Sequence, residues 1–280
     1  MKRTRSNTAI AQLWPSGGAE RSVALLKALH ILTREGGLNA DSRRKLKQVM
    51  HLVQLLRPAL EALLAEKDDP VIADLGAGKS YLGFILYDLI VGPAGRGRIV
   101  GVDAREDLVE RSRALATECG FERMEFVPAP IVQAHVNGGR AGMVTALHAC
   151  DTATDDAIHF ALRHEARFIA LVPCCQADLA RSLENVQGPL AQLWRHPIQR
   201  REFGAHATNV MRALFLESHG YKVRVTELVG WEHSLKNELI LAERHQRANP
   251  LAKKELDRLV EQLGVRPSLL SMAGPDPATQ

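Results

Sequence analysis

The run VIADLGAGKSYLGFIL at 71–86 leaves a folding chain few choices. Val71, Ile72, Ala73 and Leu75 surround a single acid, Asp74, in the nearly continuous apolar pattern of a strand buried on both faces. Gly76 and Gly78 then interrupt the sequence, and from Tyr81 the apolar positions recur at helical spacing. A strand, a glycine turn and a helix start, in that order, belong to a parallel α/β sheet. At such a turn the free backbone N–H groups and the positive end of the helix dipole converge on one small-molecule pocket.

The rest of the chain extends this pattern. Strand-like runs at 98–102, 124–128, 143–148 and 167–172 alternate with helical patterns at 105–119 and 154–164, and a basic segment occupies 190–220. Repeated strand–helix units predict a mostly parallel sheet with helices on both faces. The runs at 222–228 and 237–243 are joined without room for a helix, so they form a hairpin and the last strand runs antiparallel. The expected fold class is therefore α/β, a Rossmann-like sheet with a helical N-terminal extension. In that extension Val23, Leu26, Leu29 and Leu32 mark a helix ended by Gly36 and Gly37. After an N-cap at Asp41 or Ser42, Leu46, Val49, Met50, Val53, Leu56, Leu60 and Leu63 continue at helical spacing, and Pro58 predicts a break into two helices. The expected organisation is a flexible arm at 1–19, the helical extension at 20–67, the α/β domain at 68–246, and a helix with a Pro-rich tail at 247–280.

Composition removes several alternatives. With 46% hydrophobic and 24% charged residues, the chain is neither disordered nor fibrous. A net charge of +4 permits a polyanionic partner without requiring one. Cys119, Cys150, Cys174 and Cys175 make no disulfide framework in 280 residues. The basic start (Lys2, Arg3, Arg5) lacks a following apolar signal core, and the apolar stretch 81–91 contains Asp88 and is too short to span a bilayer. The expectation is a cytoplasmic protein without a membrane partner.

Three ligands compete for the glycine turn. A phosphate loop ends as Gly78, Lys79 and Ser80 do, but its first glycine falls on Ala73, inside the strand. A dinucleotide fold needs a third glycine where Tyr81 stands. S-adenosylmethionine (SAM) has no phosphate to cradle. It offers an ammonium group suited to Asp74 and a ribose whose hydroxyls suit an acid at the end of the next strand. Asp103 ends that strand, close to the roughly 20-residue separation expected of a ribose acid.

Further stretches carry a resemblance. DLGAGKSYL at 74–82 resembles a GxGKGYL turn, LHACDTATDD at 147–156 an HxCGxATD signature, and VPCC at 172–175 a paired-cysteine segment. SLKN at 234–237 resembles a TPKN before the last strand, and 43–56 resembles the helix that precedes the fold. Together these resemble class I SAM-dependent methyltransferases. More narrowly, they resemble a branch containing the glutathione S-transferase C-terminal-domain-containing and ribosomal-RNA-adenine-dimethylase-like proteins, similar in turn to tRNA acceptor-stem 2′-O-methyltransferases. Ser80 and Asp151 depart from that pattern, each standing where it has a glycine. The resemblance implies a methyltransferase acting on RNA, with a small-molecule or protein acceptor, or a SAM-binding RNA-associated scaffold, as alternatives.

The expected cofactor contacts are Asp74, Gly76, Ala77, Gly78, Tyr81, Asp103 and Ala104, with Ala129, Pro130 and Ile131 near the adenine and His148 beyond the fourth strand. Reacting groups in such a sheet lie past the C-terminal strand ends, where His148, Cys150, Asp151, Cys174 and Cys175 stand as catalytic candidates. The cysteines are readable as small pocket-shaping residues, as a covalent nucleophile toward a pyrimidine, or with His148 as zinc ligands; no metal is expected, because the Cys-x-x-Cys spacing is missing. Asp155 and Asp156 are read as helix-capping beside Thr154. Arg43, Arg44, Lys45 and Lys47 crowd a helix start, where basic residues oppose the dipole, and Arg195, Arg200 and Arg201 lie in the segment 195–212. Both clusters are candidate RNA contacts.

Overall fold

The computed structural model describes residues 19–33, 35–37, 39–66, 69–136, 140–147, 149, 151–173, 177–228, 238–245 and 247–271. The chain forms two compact units, residues 1–136 and 137–280.

The first unit opens with helices α1 (Ala19–Ala28) and α2 (Ala40–Glu66). α1 ends well before Gly36, because the backbone turns left-handed at His30 (φ 56°). Leu29, Ile31 and Leu32 are nevertheless buried, so the apolar spacing outlasts the helix it suggested. Pro58 does not break α2 but lies inside it. A proline in a helix interior costs about 3 kcal/mol. Val53, Leu56, Leu60 and Leu63 are 0% exposed, and burial of such side chains at roughly 1.5–3 kcal/mol each exceeds that cost.

Strands β1 (Val71–Leu75), β2 (Arg98–Asp103) and β3 (Met124–Pro128) follow, with α3 (Tyr81–Leu86) and α4 (Glu106–Glu118) in the crossovers. β2 lies between its two neighbours, parallel to both, with Asp74 opposite Gly101 and Asp103 opposite Pro128. The helix expected over 81–90 changes hydrogen-bond pattern after Leu86 and becomes π-helical over Tyr87–Val91.

In the second unit β4 (Met143–Leu147) and β5 (Phe168–Val172) flank α5 (Thr152–Arg163) and pair in parallel. Helix α6 (Asp178–Ser182) and the long α7 (Pro197–Ser218) lead to β6 (Tyr221–Glu227) and β7 (Glu238–Arg244), then α8 (Pro250–Leu263) and α9 (Ser268–Ser271). β7 is antiparallel to both β5 and β6, so the predicted hairpin doubles back and inserts its second strand beside β5. The strand order is β3-β2-β1 in the first unit and β4-β5-β7-β6 in the second, with β7 antiparallel to its neighbours and the other pairs parallel, the mostly parallel Rossmann-like arrangement expected. Among the described residues no helix is long and apolar enough to cross a membrane.

Candidate functional site

The turn after β1 is built from left-handed backbone. Gly76 (φ 64°) and Gly78 (φ 60°) adopt it without a Cβ penalty, and Ser80 (φ 48°) adopts it despite one. The Ala77 N–H donates to the Val102 carbonyl at 2.9 Å, tying the turn to β2. Ser80 donates its hydroxyl to Asp74 Oδ2 at 3.2 Å. Asp74 is only 2% exposed and is the next-to-last residue of β1. Tyr81 follows as the first residue of α3, half-buried, and burial pushes its phenol pKa well above the ordinary 10.0.

The second acid lies where the sequence predicts it, at the end of β2. Asp103 Oδ2 accepts the Gly78 N–H at 2.7 Å, which joins the acid to the glycine turn directly. Oδ1 accepts from the Arg105 N–H at 2.9 Å and from Arg105 Nε at 3.0 Å, and Arg105 Nη2 donates to Oδ2 at 3.1 Å. Burial opposes the Asp103 charge, but the Arg105 side chain, the backbone N–H groups of Arg105 and Gly78, and the guanidinium charge outweigh it. The carboxyl is therefore held below its ordinary pKa of 3.8. Ala129 sits alongside, its N–H donating to the Asp103 carbonyl at 3.1 Å, with Pro130 exposed and Ile131 buried. Asp103, Ala104, Ala129, Pro130 and Ile131 thus gather at one strand end. Sequence reasoning missed Arg105, although an arginine two residues after the expected ribose acid was visible.

Of the catalytic candidates, His148, Cys150, Cys174 and Cys175 lie outside the described residues, as does SLKN at 234–237. Asp151 is described, and its environment is distinctive. It stands at φ 51°, ψ −119°, a backbone conformation that favours the glycine of the resembling pattern. Its Oδ1 accepts the N–H groups of Ala177 at 3.0 Å and Asp178 at 3.1 Å, and its Oδ2 accepts Arg181 Nη2 at 3.1 Å. Burial raises the Asp151 pKa, but these donors lower it further, leaving it below the usual carboxylate value. The Asp151 carbonyl is also held, by Arg212 Nη2 at 2.9 Å.

Arg212 corrects two expectations. It is not part of a basic surface: its side chain is 1% exposed, and its Nε donates to Asp155 Oδ1 at 2.6 Å. Asp155 is therefore half of a buried ion pair rather than a helix cap, because Arg212 reaches it through the core. The helix begins earlier than expected, at Thr152, and Thr154 donates its hydroxyl to the Ala149 carbonyl at 2.7 Å. Burial raises the Asp155 pKa and outweighs the nearby Arg212 charge. No spacing in the sequence signals these contacts, because the partners are separated by whole elements.

The basic clusters divide unevenly. Arg43, Arg44 and Lys47 are exposed on α2, and the Lys45 side chain lies outside the described set. Arg195 and Arg201 are exposed, whereas Arg200 donates to Glu184 at 3.1 Å. Among the described residues no group of His, Cys, Asp and Glu is arranged to hold a metal ion.

A family model described as "Methyltransferase domain" matches residues 44–182. A glutathione S-transferase C-terminal domain-containing protein from Bos taurus is 24% identical over 233 residues, covering 74% of this chain and 34% of that protein. Its counterpart in Mus musculus matches to the same extent. The chain therefore spans about a third of the length of these curated relatives. Similar solved structures include a rRNA methylase from Streptococcus thermophilus, at 13% identity and TM-score 0.44, covering 66% of this chain and 93% of that one. A precorrin-6y C5,15-methyltransferase from Geobacter metallireducens matches at 18% identity and TM-score 0.43, covering 69% of this chain and 89% of that one.

Proposed function

From the match of residues 44–182 to a family model described as a methyltransferase domain, we propose that the chain is a SAM-dependent methyltransferase with RNA as its acceptor. The observation that carries the donor half is the Asp103 carboxylate at the glycine turn, kept ionised and held by the Gly78 N–H at 2.7 Å. An acceptor-only anion suits the hydroxyl donors of a ribose. In this reading Asp103 takes the ribose, Gly76, Ala77 and Gly78 let the backbone approach the ligand, and Ala129, Pro130 and Ile131 flank the adenine. Asp74, the next-to-last residue of β1, is the candidate partner for the ligand's ammonium group.

When bound, SAM supplies an electrophilic methyl carbon on a sulfonium. With the methyl carbon supplied in that form, the chain's own residues would chiefly align the acceptor with it. Asp151 is a poor base for an acceptor that must lose a proton, because its oxygens already accept three N–H donors and its pKa is low. His148 is then the leading base by residue type.

Two exposed basic surfaces support RNA as the acceptor. Arg43 and Lys47 are four residues apart on α2, with exposed His51 one turn further, a single helical stripe suited to a phosphate backbone. Arg195 and Arg201 make the second cluster. The resemblance to RNA-modifying branches points the same way, and the 24% identity to the Bos taurus relative supports the narrower branch. The test is mass spectrometry of nucleosides from RNA of cells with and without the gene. Loss of one methylated nucleoside, restored by the purified protein with SAM, is the expected result. An unchanged profile would turn the acceptor assignment toward a small molecule or a protein.

A further inference from the structure

Resting on the SAM reading above, we propose that Arg105 sets cofactor affinity by occupying the ribose position on Asp103 until the ligand's diol displaces it. A carboxylate offers about four lone-pair sites. Here Gly78 N–H, Arg105 N–H, Arg105 Nε and Arg105 Nη2 meet them, two donors on each oxygen. Two of these donors are backbone groups that stay with the turn and with the start of α4. The other two belong to one guanidinium. Withdrawing it frees one site on Oδ1 and one on Oδ2 while each oxygen keeps a backbone donor. That vacancy matches the two hydroxyls of a ribose cis-diol, each donating to one oxygen.

Two further observations favour displacement over coexistence. The Arg105 side chain is 63% exposed while Asp103 is 7% exposed, so the arginine can leave into water and the acid cannot. The guanidinium also overhangs the turn itself, with Nη2 only 3.5 Å from where a Cβ on Gly78 would lie. It therefore stands on the edge of Asp103 that faces the turn, where a ribose diol would approach. Replacing a flexible, solvated ion pair is inexpensive, so the arginine lowers affinity modestly rather than closing the site.

Calorimetry with S-adenosylhomocysteine, the demethylated cofactor, tests this on the wild type and on Arg105→Ala and Arg105→Gln. A 2′,3′-dideoxy analogue serves as the ligand without a diol, and thermal melting checks that each variant is folded. Both variants should bind S-adenosylhomocysteine about two- to fivefold more tightly than the wild type, the range an exposed ion pair allows. The dideoxy analogue should show no such gain. Unchanged or weaker binding of S-adenosylhomocysteine by folded variants would overturn the displacement and leave the SAM reading intact, as would an equal gain with the analogue. Absence of binding by wild type and variants alike would instead overturn the SAM reading, and this inference with it.

Discussion

The end of β2, beside the glycine turn, and the loop after β4 treat their acids in opposite ways. Asp103 takes its side-chain partner from Arg105, two residues along the chain and largely in solvent. Asp151 takes its partners from 26, 27 and 30 residues away, and Asp155 takes Arg212 from 57 residues away. A local, solvated partner can be exchanged for a ligand. Distant partners hold elements together, and losing them loosens the fold. The same contrast runs through the two departures from glycine. Ser80 and Asp151 both have a positive φ that disfavours a side chain, and both carry hydrogen bonds there. Ser80 bonds within its own turn, whereas Asp151 joins the loop after β4 to the one after β5.

The contrast breaks most readily at Arg212. Arg212→Ala leaves a buried, unpaired carboxylate, which typically costs about 3–5 kcal/mol; urea unfolding should show a loss of that size. A loss below about 1 kcal/mol would mean that the acids of the second unit are no more structural than those of the turn. Asp103→Asn should cost less stability than Arg212→Ala and weaken S-adenosylhomocysteine binding by about ten- to hundredfold, the value of hydrogen bonds to a charged group. Equal binding by that variant would remove Asp103 from the site. Gly78→Ala forces a Cβ into φ 60°, and left-handed backbone costs a non-glycine residue about 1–2 kcal/mol. Thermal melting should register a loss of that order, along with weaker ligand binding.

Asp151→Asn probes the second unit through pH. The folded pKa of Asp151 lies below its ordinary 3.8, so its contribution is present above that value and is lost as pH falls through the folded value. The wild type should therefore lose stability more steeply than Asp151→Asn as pH falls from about 5 toward 2. Parallel curves would show that the carboxylate is not engaged in solution. The smallest effect belongs to the basic stripe. Arg43→Gln with Lys47→Gln should reduce the salt slope of RNA binding by about two without changing stability, if both residues meet phosphates.

Much of the first region was legible in the sequence. Asp74, Gly76, Gly78 and Asp103 announce themselves through strand period, turn residues and spacing, because a turn and its neighbouring strand end are local features. Pro58 misled because core burial over a long helix outweighs a local breaker. Arg212 and Asp155 misled for the opposite reason. An arginine in a basic segment and an acid after a threonine look like surface and cap, and only packing makes them a buried pair. The clamp from Asp151 to Ala177, Asp178 and Arg181 left no trace beyond an acid where the resembling pattern has glycine.

The central claim is that the glycine turn with Asp103 holds SAM rather than a phosphate-bearing nucleotide. Isothermal titration of the full chain with S-adenosylhomocysteine, ATP and NAD in parallel tests it most directly. Saturable one-to-one binding of S-adenosylhomocysteine and no binding of the other two is the expected result. Binding of ATP or NAD in preference to S-adenosylhomocysteine, or no binding of S-adenosylhomocysteine at all, would contradict it.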